Sequence, residues 1–296
     1  MNHLLVKLCG LRTEADVAAA NAARPDFAGF VIEVPGKRRS ISVDAAIALA
    51  QQLDSGIRPV GVFVDAPVET VNRFLAEVPN AAVQLHGSED ATYIAQLRIR
   101  AAKRLSNESN RRAEGDISLD HAEEQPTMLH GSDKAACTAQ LRARVIKHPP
   151  CESGQSTEDD ALLGNAKKPP NALQLGIGCT VANPSHVYPL DARIIQAFRV
   201  HNGDDVRHAA ASMSGLVLLD SGQGSGKPFD WRLLTGFPRP FLLAGGLGPD
   251  NLPQAIASAQ SAAGNNFAGV DMSSSLEIDG VKNPAKMQAA VQAIRN

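Results

Sequence analysis

A thiol and an ammonium group stand two residues apart near the start of the chain, in the segment VKLCG. If this apolar segment is a strand, Lys7 and Cys9 share a face, and the ammonium group favours the thiolate form of the cysteine. A thiolate in this position can act as a general base. The alternative interpretation is a buried cysteine that serves only as a small apolar side chain.

Three further residues are candidates for contact with a reacting molecule. Asp220 ends the apolar run GLVLL, where an unpaired carboxylate is costly, so we expect it to act as an acid or to cap the following turn. Arg39 in GKRRSIS is a candidate for binding a carboxylate, or else it belongs to a solvated basic turn. His86 in VQLHG is a candidate ligand contact, with helix capping as the alternative.

Three segments rich in glycine or serine could bind an anion through backbone N–H groups. They are GQGSGK with Gly222 and Gly224, LLAGGL with Gly245 and Gly246, and DMSSS with Ser273 and Ser274. GQGSGK fits neither a P-loop nor a dinucleotide-binding motif, because the residues at the defining positions differ. We therefore expect the second and third segments to form most of a phosphate site.

These candidates lie at the ends of short apolar runs that alternate with helix-like segments. Four such units fit into residues 1–100 and four more into residues 191–296, each followed by a helix-like stretch, at about 26 residues per unit. Near-continuous apolar strands are typical of parallel sheets that are covered on both faces. The pattern predicts an α/β fold, a (β/α)8 TIM barrel, with a doubly wound open sheet as the competing fold.

Residues 101–190 interrupt this alternation between helix 4 and strand 5. Because no Phe, Tyr or Trp occurs from residue 94 to residue 187, we predict a disordered insertion within one discontinuous domain. Residues 129–144 match residues 85–100 at ten of sixteen positions, which indicates a partial tandem duplication. An αβ connection lies opposite the active face of a barrel, so we expect the insertion to be dispensable for chemistry.

Composition and charge exclude several classes of protein. The 296 residues carry a formal net charge of −2, which gives no general attraction to nucleic acid or to an anionic membrane surface. The four cysteines show neither CxxC nor zinc-finger spacing, so we expect no metal site of that kind. The amino-terminal segment lacks a signal-peptide cleavage pattern, and we expect a cytoplasmic location.

The chain resembles the phosphoribosylanthranilate isomerase family in eight motifs that occur in family order. They are VKLCGLRTEAD, GFVIEVPGKRRSIS, VGVFVDAP, VQLHGSED, IIQAFRV, LLDSGQGSGKPFDW, LLAGGLGPDN and GVDMSSSLE. The resemblance covers residues 4–100 and 191–292 and implies a (β/α)8 barrel. It also implies an Amadori rearrangement of N-(5'-phosphoribosyl)anthranilate to 1-(2-carboxyphenylamino)-1-deoxyribulose 5-phosphate in tryptophan biosynthesis, without metal or organic cofactor.

The same resemblance implies roles for Cys9, Asp220, Arg39 and the glycines and serines after strands 7 and 8, and the other site residues named below are expected from their positions in the sequence. Cys9 is the expected general base at ribose C2, and Asp220 is the expected general acid at the ring oxygen. The residues expected to bind the substrate are Lys7, Arg39, Gln84 and His86, with Arg39 near the anthranilate carboxylate. The residues expected to bind phosphate are Gly222, Gly224, Gly245, Gly246, Ser273 and Ser274.

One position departs from the family pattern, because Ser275 stands where the family commonly has glycine. If this position requires a positive φ, serine costs about 1 kcal/mol there and weakens phosphate binding. The expected partner is a small phosphorylated substrate, with no nucleic acid and no membrane, and the chain is expected to be a monomer or a homodimer. Two other functions stay open: a metal-dependent sugar-phosphate epimerase, and a degenerate barrel retained as a scaffold with the insertion as an interaction arm.

Overall fold

Eight apolar segments form the parallel strands of a closed barrel in the computed structural model. They are β1 (Leu5–Cys9), β2 (Phe27–Ile32), β3 (Arg58–Phe63), β4 (Ala82–Leu85), β5 (Ile194–Arg199), β6 (Leu216–Asp220), β7 (Phe241–Ala244) and β8 (Phe267–Met272). Each strand pairs with the next one in the chain, and β1 closes the ring by pairing with both β2 and β8. The predicted (β/α)8 barrel is confirmed, and the open sheet is excluded.

The structure describes residues 3–97, 193–221 and 230–295. The predicted disordered insertion over residues 101–190 lies outside the described residues, and so do Gly222 and Gly224. Strands β4 and β5, which flank the insertion in sequence, pair directly, with Val83 opposite Ile194. The ring is therefore continuous on both sides of the insertion.

Helices follow most of the strands. They are α1 (Glu14–Ala23), α2 (Val43–Ala50), α3 (Val68–Glu77), α4 (residues 91–97), α5 (Gly203–Ala210), α6 (Leu252–Ala263) and α7 (Pro284–Arg295). Thr13 caps α1 and Asn202 caps α5, each in a reciprocal pair with an aspartate three residues later. In the part of the chain that is described, no helix has the length and apolar character needed to cross a membrane.

The unit after β6 departs from the predicted pattern. Where a full helix is expected, the described residues form only a single 3-10 turn, Trp231–Leu234. Gly236, with a φ of 71°, and Pro238 follow this turn, and neither residue type favours continuing a helix. The expectation of a helix after every strand is therefore wrong for the described part of this unit.

Side chains alternate along each strand between the barrel interior and the layer of helices. In β1, Leu5 and Cys9 pack in the inner cluster, whereas Val6 and Leu8 pack in the outer one. The same alternation in β6 gives Asp220 the register of the inward-facing leucines. Inward-facing residues at the carboxyl ends of the strands therefore surround the open end of the barrel, which we call the mouth.

Two short pairings extend the barrel near the mouth. The two-residue strand Ser40–Ile41 pairs with the end of β2. After β8, Glu277–Ile278 and Val281–Lys282 form an antiparallel hairpin, which we call the β8 hairpin. These elements carry charged side chains back toward the strand ends.

At the opposite end of the barrel, Asp26 joins the beginning and the end of the described chain. Its carboxylate accepts hydrogen bonds from the backbone N–H of Val6 at 2.7 Å and from Arg295 Nη2 at 2.6 Å. His3 Nε2 lies 2.7 Å from the same carboxylate. This cluster ties α7 to β1, where the ring closes.

Candidate active site

The side chains of Lys7 and Cys9 lie inside the barrel at the carboxyl end of β1. Lys7 is fully buried, and its ammonium group donates to Asp271 Oδ1 at 2.7 Å. Gly29 in β2 lies opposite Cys9, and a Cβ at Gly29 would lie 2.8 Å from Cys9 Sγ and 3.2 Å from Lys7 Nζ. The thiol and the ammonium group therefore occupy space that a glycine in β2 leaves open.

Burial and nearby charges act on the pKa of Cys9 in opposite directions. Burial raises the pKa of the thiol and Asp271 adds to the rise, whereas Lys7 and Lys282 oppose this effect without overcoming it, so the pKa of Cys9 is raised. For Lys7, burial alone would lower the pKa, but Asp271 and Cys9 outweigh this effect and the pKa is raised. Lys7 therefore stays an ammonium ion, and two ammonium groups favour the thiolate against the cost of its burial.

Asp220 ends β6 and faces His86, which follows β4. Asp220 Oδ2 and His86 Nε2 are 3.7 Å apart. On the other side of the imidazole ring, Gln84 Nε2 lies 3.1 Å from His86 Nδ1. The Gln84 amide therefore holds the imidazole ring with Nε2 toward Asp220.

The electrostatic surroundings of His86 connect the two sides of the mouth. Burial lowers the pKa of His86, and Lys7 and Arg199 act in the same direction. Asp220 and Asp271 oppose this effect without overcoming it. Since the same lysine and Asp271 also act on the thiol, the structure brings the predicted base, the predicted acid and His86 to one end of the barrel.

Lys7 and Gln84 have supporting positions. Both are buried, with Lys7 packed against the thiol and Gln84 bonded to the far side of His86. His86 is partly exposed, at 22% of its side chain. Of these three residues, only the imidazole faces the open mouth.

Arg39 reaches the mouth from the loop after β2. Its Nε and Nη2 atoms donate to the carboxylate of Glu277 at 2.6 and 3.0 Å. A Cβ on Gly10, directly after Cys9, would lie 2.6 Å from Arg39 Cδ. The guanidinium group that is predicted to bind a substrate carboxylate thus passes next to the end of β1 and has an acidic partner in the protein.

The loop after β7, which is predicted to bind phosphate, turns tightly at its two glycines. Gly245 and Gly246 have φ values of 96° and 66°, and a Cβ at Gly245 would lie 2.8 Å from Asp220 Oδ1. The Asn251 side chain bridges the carbonyl of Gly246 and the N–H of Gly248, both at 2.9 Å. The loop therefore turns tightly against the predicted acid and leads into the amino end of α6, where anions are favoured.

The serines after β8 have partners within the protein. Ser273 Oγ donates to the carbonyl of Cys9 at 3.0 Å, and Ser274 begins a single 3-10 turn. Ser275 donates through its hydroxyl to the carbonyl of Leu247, and it is not among the described non-glycine residues with positive φ. Ser275 therefore does not have the positive φ that would make serine costly there. The Ser275 hydroxyl instead links the loops after β7 and β8.

Two cavities lie beside this site. One, of about 640 Å³, is lined by His86, Arg199 and residues of α4 and α5. The other, of about 530 Å³, is lined by Gly246, Ser275 and Lys286 among others. The first extends outward from the imidazole and does not include the thiol, whereas the second borders the predicted phosphate loops.

Sequence reasoning missed four residues that shape this site. They are Gly29, Asp271, Glu277 and Lys282. Asp271 carried a usable signal, because it lies two residues before Ser273 and so has the same strand register. The other three carried none, since their positions depend on the register of neighbouring strands and on the closure of the ring.

The chain is similar to known proteins over nearly its whole length. A family model described as N-(5'phosphoribosyl)anthranilate (PRA) isomerase matches residues 6–129 and 181–293. The N-(5'-phosphoribosyl)anthranilate isomerase of Endomicrobium trichonymphae is 27% identical over 296 residues, with 98% of each chain covered. That of Cereibacter sphaeroides is 28% identical over 298 residues, with 100% of each chain covered.

Solved structures share the fold. The crystal structure of phosphoribosyl anthranilate isomerase from Thermus thermophilus has a TM-score of 0.58 and 22% identity, covering 99% of this chain and 98% of that chain. A phosphoribosyl anthranilate isomerase in complex with reduced 1-(o-carboxyphenylamino)-1-deoxyribulose 5-phosphate has a TM-score of 0.58 and 20% identity, with the same coverage. At these identities the similarity supports the barrel architecture.

Proposed function

The chain belongs to the N-(5'-phosphoribosyl)anthranilate isomerase family, and on that premise we propose that it converts N-(5'-phosphoribosyl)anthranilate to 1-(2-carboxyphenylamino)-1-deoxyribulose 5-phosphate in tryptophan biosynthesis. One observation carries the proposal. Cys9 and Asp220 end two strands of the same ring, and His86 interacts with charges on both sides of the mouth. A substrate held there would have a base and an acid on different sides, which suits removing a proton at one atom and adding one at another.

In this proposal Asp220 is the general acid of the first step. Its proton goes to the furanose ring oxygen, the bond between C1 and that oxygen breaks, and the anthranilate nitrogen supplies an electron pair to form a C1=N bond. The sugar opens, and the nitrogen carries the positive charge. His86 Nε2 lies 3.7 Å from Asp220 Oδ2 and is placed to interact with the carboxylate that this step leaves.

Cys9 is the general base of the second step. Its thiolate removes the proton from C2, and the C–H electron pair forms a C1=C2 bond while the nitrogen becomes neutral. The resulting enol becomes the ketone at C2 as the Cys9 thiol returns its proton to C1 and the enol hydroxyl releases its proton, which restores the acid form of Asp220 by way of solvent. The ammonium group of Lys7, packed beside the thiol, favours the thiolate that begins this step.

Two anionic groups would anchor the substrate. Arg39 is proposed to bind the anthranilate carboxylate, because a guanidinium group matches the planar geometry of a carboxylate. The phosphate is proposed to bind at Gly245, Gly246, Ser273 and Ser274, where tight turns and the amino end of α6 present backbone N–H groups. Anchoring at two ends would fix the ribose between the acid and the base.

A fluorescence assay that follows consumption of the anthranilate substrate tests this function. We expect turnover by the purified chain without added metal, and Cys9→Ala and Asp220→Asn should each lower kcat by about 10²- to 10⁴-fold. Asp44→Asn is the matched control, because this carboxylate is 71% exposed on α2 and its replacement should leave kcat unchanged. Wild-type turnover of either site variant would contradict the assigned roles.

A chelator distinguishes the metal-dependent epimerase alternative. Among the described residues, no group of three or more His, Cys, Asp or Glu side chains is arranged to hold a metal ion. We therefore expect turnover to persist in the presence of EDTA, since the proposed steps use only protein acids and bases. Loss of turnover with EDTA and its recovery with a divalent metal would favour the alternative.

A further inference from the structure

Glu277 is the centre of a charge cluster at the mouth that the proposed steps do not use. Its carboxylate accepts hydrogen bonds from Arg39 Nε at 2.6 Å, from Arg38 Nη2 at 2.7 Å and from Lys282 Nζ at 3.0 Å. The side chain of Glu277 is 6% exposed and that of Lys282 is 1% exposed. We call these four residues the Glu277 cluster.

The β8 hairpin builds this cluster. Glu277 and Lys282 lie directly opposite each other on its two strands, so a short antiparallel pairing sets an acid beside an ammonium group. Lys286 Nζ donates to the backbone carbonyl of Glu277 at 3.0 Å and fixes the same strand from α7. With three cations and one anion, the cluster has an excess of positive charge.

Hydrogen bonds join the cluster to the end of β1. Lys282 Nζ donates to the carbonyl of Ser273 at 2.9 Å, and Ser273 Oγ donates to the carbonyl of Cys9 at 3.0 Å. A Cβ on Gly10 would lie 2.6 Å from Arg39 Cδ and 3.2 Å from Ser273 Oγ. The strand end that carries the thiol is therefore in contact with the cluster through both its backbone and its next residue.

Four charged groups act on the thiol, from four elements. Lys7 on β1 and Asp271 on β8 form an ion pair of balanced charge. Arg39 approaches from the loop after β2, and Lys282 from the β8 hairpin. Lys7 has the largest charge effect on the thiol, and the Glu277 cluster adds further positive charge through Lys282.

We propose that Glu277 and Lys282 are positioning residues of the isomerase site. Glu277 occupies the Nε–Nη2 edge of the Arg39 guanidinium and so orients its Nη1 side toward the substrate carboxylate. The same carboxylate holds Lys282 where its positive charge favours the thiolate. The inference rests on the proposed function, which supplies both the carboxylate and the need for a thiolate.

The first test measures the thiol in the absence of substrate. Iodoacetamide alkylates thiolates, so the alkylation rate of the peptide containing Cys9, followed by mass spectrometry across pH, reports the thiolate fraction. Lys282→Met should slow alkylation at pH 7 about three- to tenfold and move the rate profile to higher pH, and Lys282→Arg should stay within about twofold of wild type. Arg73→Met, which removes an exposed cation on α3 that is paired with Asp44, is the control and should leave the profile unchanged.

The second test separates substrate binding from chemistry. In Glu277→Gln the Arg39 guanidinium loses its charged partner, so KM should rise about tenfold while kcat changes less than threefold. Glu277→Asp keeps the negative charge, so its KM should rise less than that of Glu277→Gln. This variant also tests the role of the carboxylate if the glutamine variant folds poorly. Arg73→Met is again the control and should keep the wild-type KM.

The two tests give outcomes that separate this inference from the proposed function. An alkylation profile of Lys282→Met identical to wild type, or an unchanged KM in both Glu277 variants, would overturn the positioning roles. Absence of isomerase turnover in the wild-type chain would refute the proposed function instead. The alkylation result stands in that case, because it needs no substrate.

Discussion

Replacing Gly29 with alanine should lower kcat about 100-fold with little change in KM. The added Cβ would lie 2.8 Å from Cys9 Sγ, 3.2 Å from Cys9 Cα and 3.2 Å from Lys7 Nζ. Carbon and sulfur atoms are in favourable contact at about 3.5–4 Å, so the thiol must move by roughly 1 Å. Lys7 cannot yield easily, because its ammonium group is buried and bonded to Asp271 at 2.7 Å. A displacement of this size at a reacting group costs about 10²-fold in rate.

Two other glycine-to-alanine variants separate this effect from a general loss of stability. A Cβ at Gly61 in β3 would lie 2.7 Å from Phe63 Cε2 and 2.8 Å from Phe74 Cδ1, in the outer core away from the mouth. Gly61→Ala should therefore lower the free energy of unfolding by about 1–3 kcal/mol while kcat is retained. Gly56 has no heavy atom within 4 Å of such a Cβ, so Gly56→Ala should be neutral in both measurements.

The assay is steady-state consumption of the anthranilate substrate, with urea unfolding of each variant measured in parallel. A kcat for Gly29→Ala within about threefold of wild type would refute the placement of the thiol as the base, since a 1 Å shift of that group would then cost nothing. An equal loss of kcat in Gly61→Ala would show that the effect follows stability and not the position of Cys9.

Three further outcomes follow from contacts around the site. Ser275→Gly should raise KM about two- to fivefold without changing kcat. The substitution removes the hydrogen bond to the Leu247 carbonyl and adds backbone freedom without relieving strain. A lower KM in steady-state kinetics would contradict this expectation. Burial alone would raise the pKa of Glu277, but hydrogen bonds from its cationic partners outweigh burial and lower the pKa from 4.5 to about 2. Between these two pKa values the unfolded chain therefore binds more protons than the folded chain. Glu277 should contribute about 2–3 kcal/mol to the free energy of unfolding above pH 4.5, and this contribution is lost as the pH falls toward 2. The free energies of unfolding of wild type and Glu277→Gln, measured in urea, should differ by this amount at pH 7 and become equal in acid. A difference that does not depend on pH would count against the lowered pKa of Glu277. Asp26→Asn should lower the unfolding free energy by about 1–3 kcal/mol while kcat is unchanged, because its bonds to Val6 and Arg295 lie at the far end of the barrel.

The barrel and the ends of its strands follow directly from the pattern of the sequence. The apolar runs before Cys9 and Asp220 are long enough to show a strand, and the two-residue period of a strand determines which side chains face inward. The inward register of Asp220 could therefore be predicted from GLVLLD alone. The same argument applied to DMSSS would have included Asp271.

Other features depend on contacts between segments that are far apart in sequence. Gly29 matters because β2 happens to lie opposite Cys9 in that register, and Glu277 matters because ring closure brings β8 beside β1. Ser275 is a further case, because the replacement of glycine by serine did not show whether the position requires a positive φ. The 3-10 turn that contains it, Ser274–Leu276, holds the residue in an ordinary conformation.

The inner cluster beneath the thiol determines how molecules reach it. Leu5, Val62, Leu218 and Leu242 are among the tightly packed residues that form this floor, and Cys9 itself is only 7% exposed. Peroxides and other oxidants must therefore enter by the route that the sugar phosphate uses. A bound substrate would then shield the sulfur from conversion to sulfenic acid, so the enzyme should be most easily inactivated by oxidation when its substrate is scarce.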